Sequence, residues 1–540
     1  MIHACVRAET WLAALVLILA CGPAEAAAPA LPRLLELPPT AAAAGRVIAV
    51  APGGNFQAAL ERAQPGDVIT LAAGATYVGA FTLPKKTGDG WITIQSSAVD
   101  ALPPAGTRVT PEHARHMPKV RGHREGPAIT TATGAHHYRF VGIEFHPDGG
   151  RYTDTLILIG DGQDTDTATL PHHIAFERCF IHGDPVVGGK RGVGLNGGAT
   201  IVVDSWLSDW KGRGHDTQAL AGWNGLGPFK IVNNYIEGAG ENLIFGGADP
   251  RIRDLVPSDI EIRRNHFAKP RAWNIHDRAR YAGAHWSVKN LFELKNARRV
   301  LVDGNLFEHN WNESQSGYAI VITPRNQDGA ARWSGVEDLT FTNNVVRRTS
   351  AALGLLGWDN NHPSQQLKRV LIRNNLFEEI GGREWGENGG ILFLIEDNTA
   401  DVTIEHNTAI HSGNIIAAGG RPNTGFVFRD NIVMQNEYGV IGDGRGPGLP
   451  TLQQFFPGVV FEKNVIVGGM PDIYPRGNFF PASLDRVGFA NRKAGDCRLL
   501  SSSPYRGRGT QGRDPGVDFA AVLQAIGPQL AAARARGEAS

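Results

Sequence analysis

The sequence predicts an all-β solenoid, one chain wound as a single-stranded parallel β-helix, and three observations point to it. Apolar residues alternate with polar ones at a period of two, with no helical stripe. A unit of short strand, polar corner and apolar pair recurs along most of the 540 residues. The corners are roughly 24 to 40 residues apart, a spacing that signals a repeat architecture whose turns carry loops of different length. Trp286 to Asn326 holds one complete unit. Leu291 to Leu294 runs into Lys295-Asn296, Val300 to Val302 runs into Asp303-Gly304-Asn305, and Tyr318 to Ile322 ends at Thr323-Pro324-Arg325-Asn326.

Taken in order, residues 1–26 form a signal peptide: Arg7, an apolar run from Trp11 to Ala20 too short to span a bilayer, and a small-residue cleavage site at Ala24-Glu25-Ala26. This places the protein outside the cytoplasm, secreted or periplasmic. Lipid attachment at Cys21 is the weaker alternative, because Leu19 is a poor fit to the small residue expected there. Residues 27–46 are an Ala/Pro-rich linker, and no later stretch has the length and apolarity of a transmembrane helix.

The solenoid is expected over 47–516. Phe56 to Ala63 reads as a short amphipathic helix that caps its open end, where the first turn exposes apolar side chains and unpaired strand edge. The strands Val68 to Leu71, Trp91 to Ile94 and His137 to Phe140 follow. Corners then recur at Arg178-Cys179, Asp204-Ser205, Asn233-Asn234, Arg264-Asn265, Gly304-Asn305, Asn343-Asn344, Asn374-Asn375, His406-Asn407, Asp430-Asn431 and Lys463-Asn464. Asparagine suits them because it tolerates the left-handed backbone region and can bond along a column of its own kind. Residues 517–540 form a helical tail rich in Ala and Leu.

Lys plus Arg equals Asp plus Glu, 53 each, which leaves no basic surplus for nucleic acid. Export would leave two cysteines, Cys179 and Cys497, too few for a disulfide framework, and Cys179 lies in a strand as a buried apolar residue.

At these corners the chain resembles the right-handed parallel β-helix superfamily typified by pectate lyases, from about Gly53 to Gly516. Asn55 to Leu60, Pro65-Gly66-Asp67 and Gly74 to Tyr77 are similar to the opening of family 6 polysaccharide lyases, the chondroitinase B and alginate lyase group. A fold does not dictate a function, so the chemistry is sought in a second column of corners: Asp249, Lys295, Arg325, Asp359 and Asp397.

Rungs about 4.8 Å apart would stack Lys295 on Arg325. Adjacent cations disfavour each other's charge, which suits a lysine base, while arginine keeps its charge and can neutralise a uronate carboxylate. Together they fit β-elimination from an acidic polysaccharide, and the resemblance implies the same pair. The chain departs from that family with Asn296 after the lysine, Thr323-Pro324 before the arginine, and Val288 and Asn290 where calcium-binding glutamates would stand. Calcium therefore stays open. Asp216, Gln218, Trp223, Asn224, Glu241 and Asn242 form a second cluster that could line the same groove, and Asp249, Lys289, Glu293 and Asn326 complete the expected substrate-binding set. Asp216 with Glu241 leaves a glycoside hydrolase as a rival, and a surface glycan-binding solenoid without turnover is the non-enzymatic one. Tryptophans such as Trp206, Trp273 and Trp311 sit by loops, where most are expected to pack those loops down.

Overall fold

The computed structural model describes residues 26–38, 45–386, 389–492 and 495–535. The expected leader and Cys21 fall outside them. Each turn contributes one strand to each of three sheets, of 14, 13 and 12 strands, and every pairing within these sheets is parallel between successive turns. The fold is a right-handed parallel β-helix. In one turn, Ala297–Asp303 belongs to the first sheet, Leu306–Asn310 to the second and Tyr318–Ile322 to the third, called the groove sheet below. Inward residues stack along the axis, as Phe267 on Phe307 with centroids 4.6 Å apart and Phe140 on Phe176 at 5.2 Å.

The corner between the first two sheets carries a continuous amide ladder. Asn265 donates its backbone N–H (2.9 Å) and its side-chain amide (3.1 Å) to Asn305 Oδ1. Asn305 does the same to Asn344 (2.8 and 3.0 Å), and the column runs from Asn234 to Asn478. From Asn234 to Asn464 these asparagines are buried, so each satisfies its amide inside the wall. The left-handed backbone lies one residue earlier than the sequence suggests, at Arg178, Asn233, Arg264, Gly304, Asn374 and Asp430. The ladder asparagine is chosen for its amide and its neighbour makes the bend.

Helix Phe56–Arg62, N-capped by Asn55 Oδ1 accepting from the Ala58 N–H at 2.9 Å, buries Phe56, Ala59 and Leu60 over the first turn. A second short helix, Leu449–Phe455, places Leu452 and Phe455 in the core at the far end; the residue pattern does not predict it. Helix Phe519–Ala535 lies on the flank: Phe519, Val522 and Ile526 pack on Leu306, Val345 and Leu376 of the second sheet. Residues 26–38 run along the first sheet, where the Ala30 N–H donates to Asp338 at 3.0 Å and Arg33 Nε to Asp259 at 2.7 Å. Cys179 and Cys497 are buried free thiols. No described helix is long and apolar enough to cross a membrane.

Candidate functional site

The groove sheet presents successive strands Gln218–Gly222, Glu241–Phe245, Asn290–Leu294, Tyr318–Ile322, Ala351–Leu356 and Phe393–Glu396. Pairing of Glu293 with Val321, Val321 with Gly354 and Gly354 with Leu394 places these four in one outward row. Over that row lies a cavity of about 350 Å³, lined by Glu293, Lys295, Tyr318, Thr323, Arg325 and Glu396 among others.

Lys295 and Arg325 thus meet in one groove, although not as bare stacked cations. Leu294 pairs with Ile322, so Lys295 is level with Thr323, and Arg325 follows two residues on with its N–H donating to the Lys295 carbonyl at 2.8 Å. Each cation has its own carboxylate. Lys295 Nζ lies 3.4 Å from Glu293 Oε1, and Arg325 Nη1 lies 2.6 Å from Asp359 Oδ1 and also bonds Asn360. Arg325 Nε and Nη2 have no partner among the described residues, which leaves two guanidinium nitrogens for a ligand.

Tyr318, a residue the sequence places only as the start of a strand, also lines the cavity, and its hydroxyl has no hydrogen-bond partner among the described residues. Burial first, and then the Glu396 carboxylate, hold its pKa above the ordinary tyrosine value. The hydroxyl is therefore protonated and available as a donor. Its one sequence signal is a polar tip opening an otherwise apolar strand.

One to three rungs earlier the second cluster closes on Lys289. Its ammonium lies 2.8 Å from Asp216 Oδ2 and 2.7 Å from Glu241 Oε1, while Gln218 donates to Glu241 Oε2 at 2.8 Å. Burial disfavours the Lys289 charge, but Glu241, Glu293 and the hydrogen bond to Asp216 outweigh it and hold the pKa above the usual lysine range. Glu241 is 1 % exposed; burial first, then the Glu293 charge, push its pKa up against the pull of Lys289. Beneath them Lys269, fully buried, donates to the carbonyls of Gly238, Ala239, Gly240 and Asn290 and to Asn242 Oδ1. Burial lowers its pKa to about 7.

Several expected ligand contacts belong to the scaffold instead. Asn224 donates to the Asp164 carbonyl and accepts from the Arg251 and Ile252 N–H groups. Asn242 bonds the Ile236 and Ala268 carbonyls, and Asn326 bonds the Pro363 carbonyl and the Ala331 N–H. All three are fully buried, so they shape corners and cannot reach a sugar. Asp249 Oδ2 accepts from the Asp328 and Ala330 N–H groups and pins the loop after Arg325. The Trp223 ring lies against Gly162, where an added Cβ would come within 2.6 Å of it, with the Arg191 guanidinium 4.8 Å from its centroid. Trp206, Trp273 and Trp311 are buried under loops.

Calcium does not fit the residues here. The space between Asp216 and Glu241 is filled by the Lys289 ammonium, and in the loop 161–166, with carboxylates at Asp161, Asp164 and Asp166, Asp161 and Asp166 turn oxygens to the Gln163 and Ala168 N–H groups. Among the described residues the one group of three or more His, Cys, Asp or Glu able to hold a metal is His137, His172 and His173, elsewhere on the solenoid.

No family model matches the sequence, and no curated protein matches it. Among solved structures it is similar to an alginate lyase from Paenibacillus sp. str. FPU-7, at 13% identity over 81% of this chain and 96% of that one, TM-score 0.27. It is similar to the PL6 family alginate lyase AlyGC at 14% identity over 87% of this chain, TM-score 0.47, spanning 58% of that enzyme's length. The pectate lyase Pel9A matches at 12% identity over 87% and 96% of the two chains, TM-score 0.31. All are parallel β-helices, the fold already set by the sheet pairings. Likenesses this distant do not bear on the chemistry.

Proposed function

We propose that the protein is an exported polysaccharide lyase that cleaves a uronate-containing glycan by β-elimination in the groove of Lys295, Arg325 and Tyr318. The observation that carries this reading is the convergence of three groups in one cavity: an ammonium, a guanidinium with two unengaged nitrogens, and an unpartnered hydroxyl. The free nitrogens of Arg325 neutralise the uronate carboxylate and so acidify the proton at C5. Lys295, once deprotonated, takes that proton. The C4–O bond breaks as the C4–C5 double bond forms, and the Tyr318 hydroxyl protonates the departing glycosidic oxygen.

Hydrolysis is less well supported. Asp216 and Glu241 share one ammonium and Glu241 is sealed from solvent, whereas a hydrolytic pair must flank a sugar from two sides. The test is to offer the purified protein alginate, pectate, chondroitin and a neutral glycan while following the ultraviolet absorbance of the unsaturated product. Lys295→Ala should lower that rate by about 10²- to 10⁴-fold with the fold intact. Unsaturated product formed at the parental rate by this variant overturns the assignment. Reducing ends released without the absorbance would favour hydrolysis, and neither signal would favour a glycan binder.

A further inference from the structure

A column on the first sheet, away from the groove, changes chemistry along the solenoid. The strand pairings place Trp91, His137, His173, Ala199, Pro228, Asp259, Arg299, Asp338, Arg369 and Asp401 at one register position of ten successive turns. From Asp259 onward the column alternates in charge and neutralises itself. Arg299 Nε lies 2.6 Å from Asp259 Oδ1, and Arg369 Nε lies 2.6 Å from Asp338 Oδ1. The positive φ at His137 and His173 recurs at Ala199, Asp259, Arg299, Asp338, Arg369 and Asp401, so the bend belongs to the fold and marks no strain peculiar to the histidines.

In the two early turns the column holds like against like. His137 stacks on His173 with centroids 4.4 Å apart, and His136 stacks on His172 at 4.9 Å. Within each turn the ring nitrogens face each other, His136 Nδ1 to His137 Nδ1 at 2.8 Å and His172 Nδ1 to His173 Nδ1 at 2.7 Å. His136 Nε2 is tied to the Lys86 carbonyl at 3.0 Å. Four half-buried imidazoles cannot neutralise one another as Asp and Arg do. Their nitrogens need a shared proton or a cation. Ligand nitrogens of His137, His172 and His173 lie within 4.8 Å of one another. A zinc ion with bonds of about 2.0–2.1 Å would draw such nitrogens somewhat closer, a movement within reach of side-chain rotation. Trp91 closes the site on one side, edge-on to His137 at 5.2 Å, and Ala199 occupies the same register position in the turn after His173.

We propose that His137, His172 and His173 bind one divalent transition-metal ion of the zinc class, tying the two turns together across the first sheet. All-nitrogen donors select zinc, copper or nickel and reject calcium and magnesium. Burial, and then the neighbouring histidines, lower the pKa of His137 to about 4, and burial also lowers those of His172 and His173. All three are then neutral near pH 7, the form that ligates.

The test is titration of the chelator-treated full chain with Co²⁺, read by visible absorption, and with Zn²⁺, read by calorimetry. One equivalent per chain is expected, with Ca²⁺ silent in the calorimeter. His137→Asn and His173→Asn, chosen because asparagine accepts the left-handed backbone, should each weaken Zn²⁺ binding by about tenfold or more, while the same change at His123, an exposed histidine outside the cluster, should not. Zn²⁺ should also raise the melting temperature of the parent and not of the His137→Asn/His173→Asn double variant. The parent arm decides without the variants: failure to take up one equivalent at micromolar metal overturns the proposal. So does uptake unchanged in a double variant with native circular dichroism.

Discussion

Removing Lys289 tests whether a side-chain ammonium is the internal counter-ion of the groove. In Lys289→Ala, Glu241 keeps only the Gln218 amide at 2.8 Å. Glu293 keeps the Asn290 amide at 3.3 Å and Lys295 at 3.4 Å. Both carboxylates are 1 % exposed, so neither recovers water in exchange, whereas the Asp216 side chain is 52% exposed and does. Breaking a buried pair from one side costs about 3–5 kcal/mol, and that loss should appear in the denaturant midpoint at neutral pH. The pH dependence separates this cause from simple loss of packing. Glu241 already has its pKa raised above 4.5 by burial and by Glu293, and losing Lys289 raises it further. An acid whose pKa is higher folded than unfolded binds its proton more readily in the folded state, so stability returns as pH falls through the folded value. The gap between variant and parent should therefore narrow on acidification, and adding Glu241→Gln to the variant should narrow it at neutral pH. A midpoint like the parent's, or a deficit constant from neutral to acidic pH, would refute the counter-ion role.

Further outcomes follow from the same geometry. Tyr318→Phe should lower kcat by about 10²-fold with KM and melting temperature nearly unchanged; a raised KM at constant kcat would move the hydroxyl from proton transfer to binding. Asn305→Ala leaves the Asn265 N–H and amide without their acceptor and should destabilise by about 2–5 kcal/mol, measured by chemical unfolding; a loss below about 1 kcal/mol would show that the ladder does not stabilise the wall. His411 is 6% exposed, accepts from the Met434 N–H at Nε2, and has its pKa lowered by burial to about 4 from an ordinary 6.5. Its contribution is complete above pH 6.5 and is lost as pH falls towards 4, to a ceiling of about 3 kcal/mol. His411→Gln should flatten the stability profile in that window, and an unchanged slope would assign the acid sensitivity to other groups.

The solenoid was legible because its signals are local. Strand, corner and apolar pair lie within a few residues, so Asn305 and Asn344 announce two turns however long the intervening loop. Even there one inference slipped by a residue, since the amide ladder and the left-handed bend sit next to each other in sequence and fall on different residues. Helix Leu449–Phe455 was hidden because its seven residues, one a proline, are too few to show a helical stripe. The site was legible only to the level of the column. Sequence spacing brings Lys295 and Arg325 to neighbouring turns, but the partner each cation takes is set by side-chain direction across loops of unequal length. Thr323-Pro324 illustrates the cause. Lys295 follows its strand directly, whereas Arg325 stands two residues further out than the register would have put it. From there its guanidinium meets Asp359 of the next turn instead of the lysine. Arg325 still lines the cavity beside Lys295 with Nε and Nη2 unengaged, so a departure from the expected spacing bears on how the pair can meet a carboxylate. Deleting Thr323-Pro324 should draw Arg325 back towards Lys295 and weaken binding of an acidic glycan; unchanged KM in that variant would mean that the two residues only lengthen the loop.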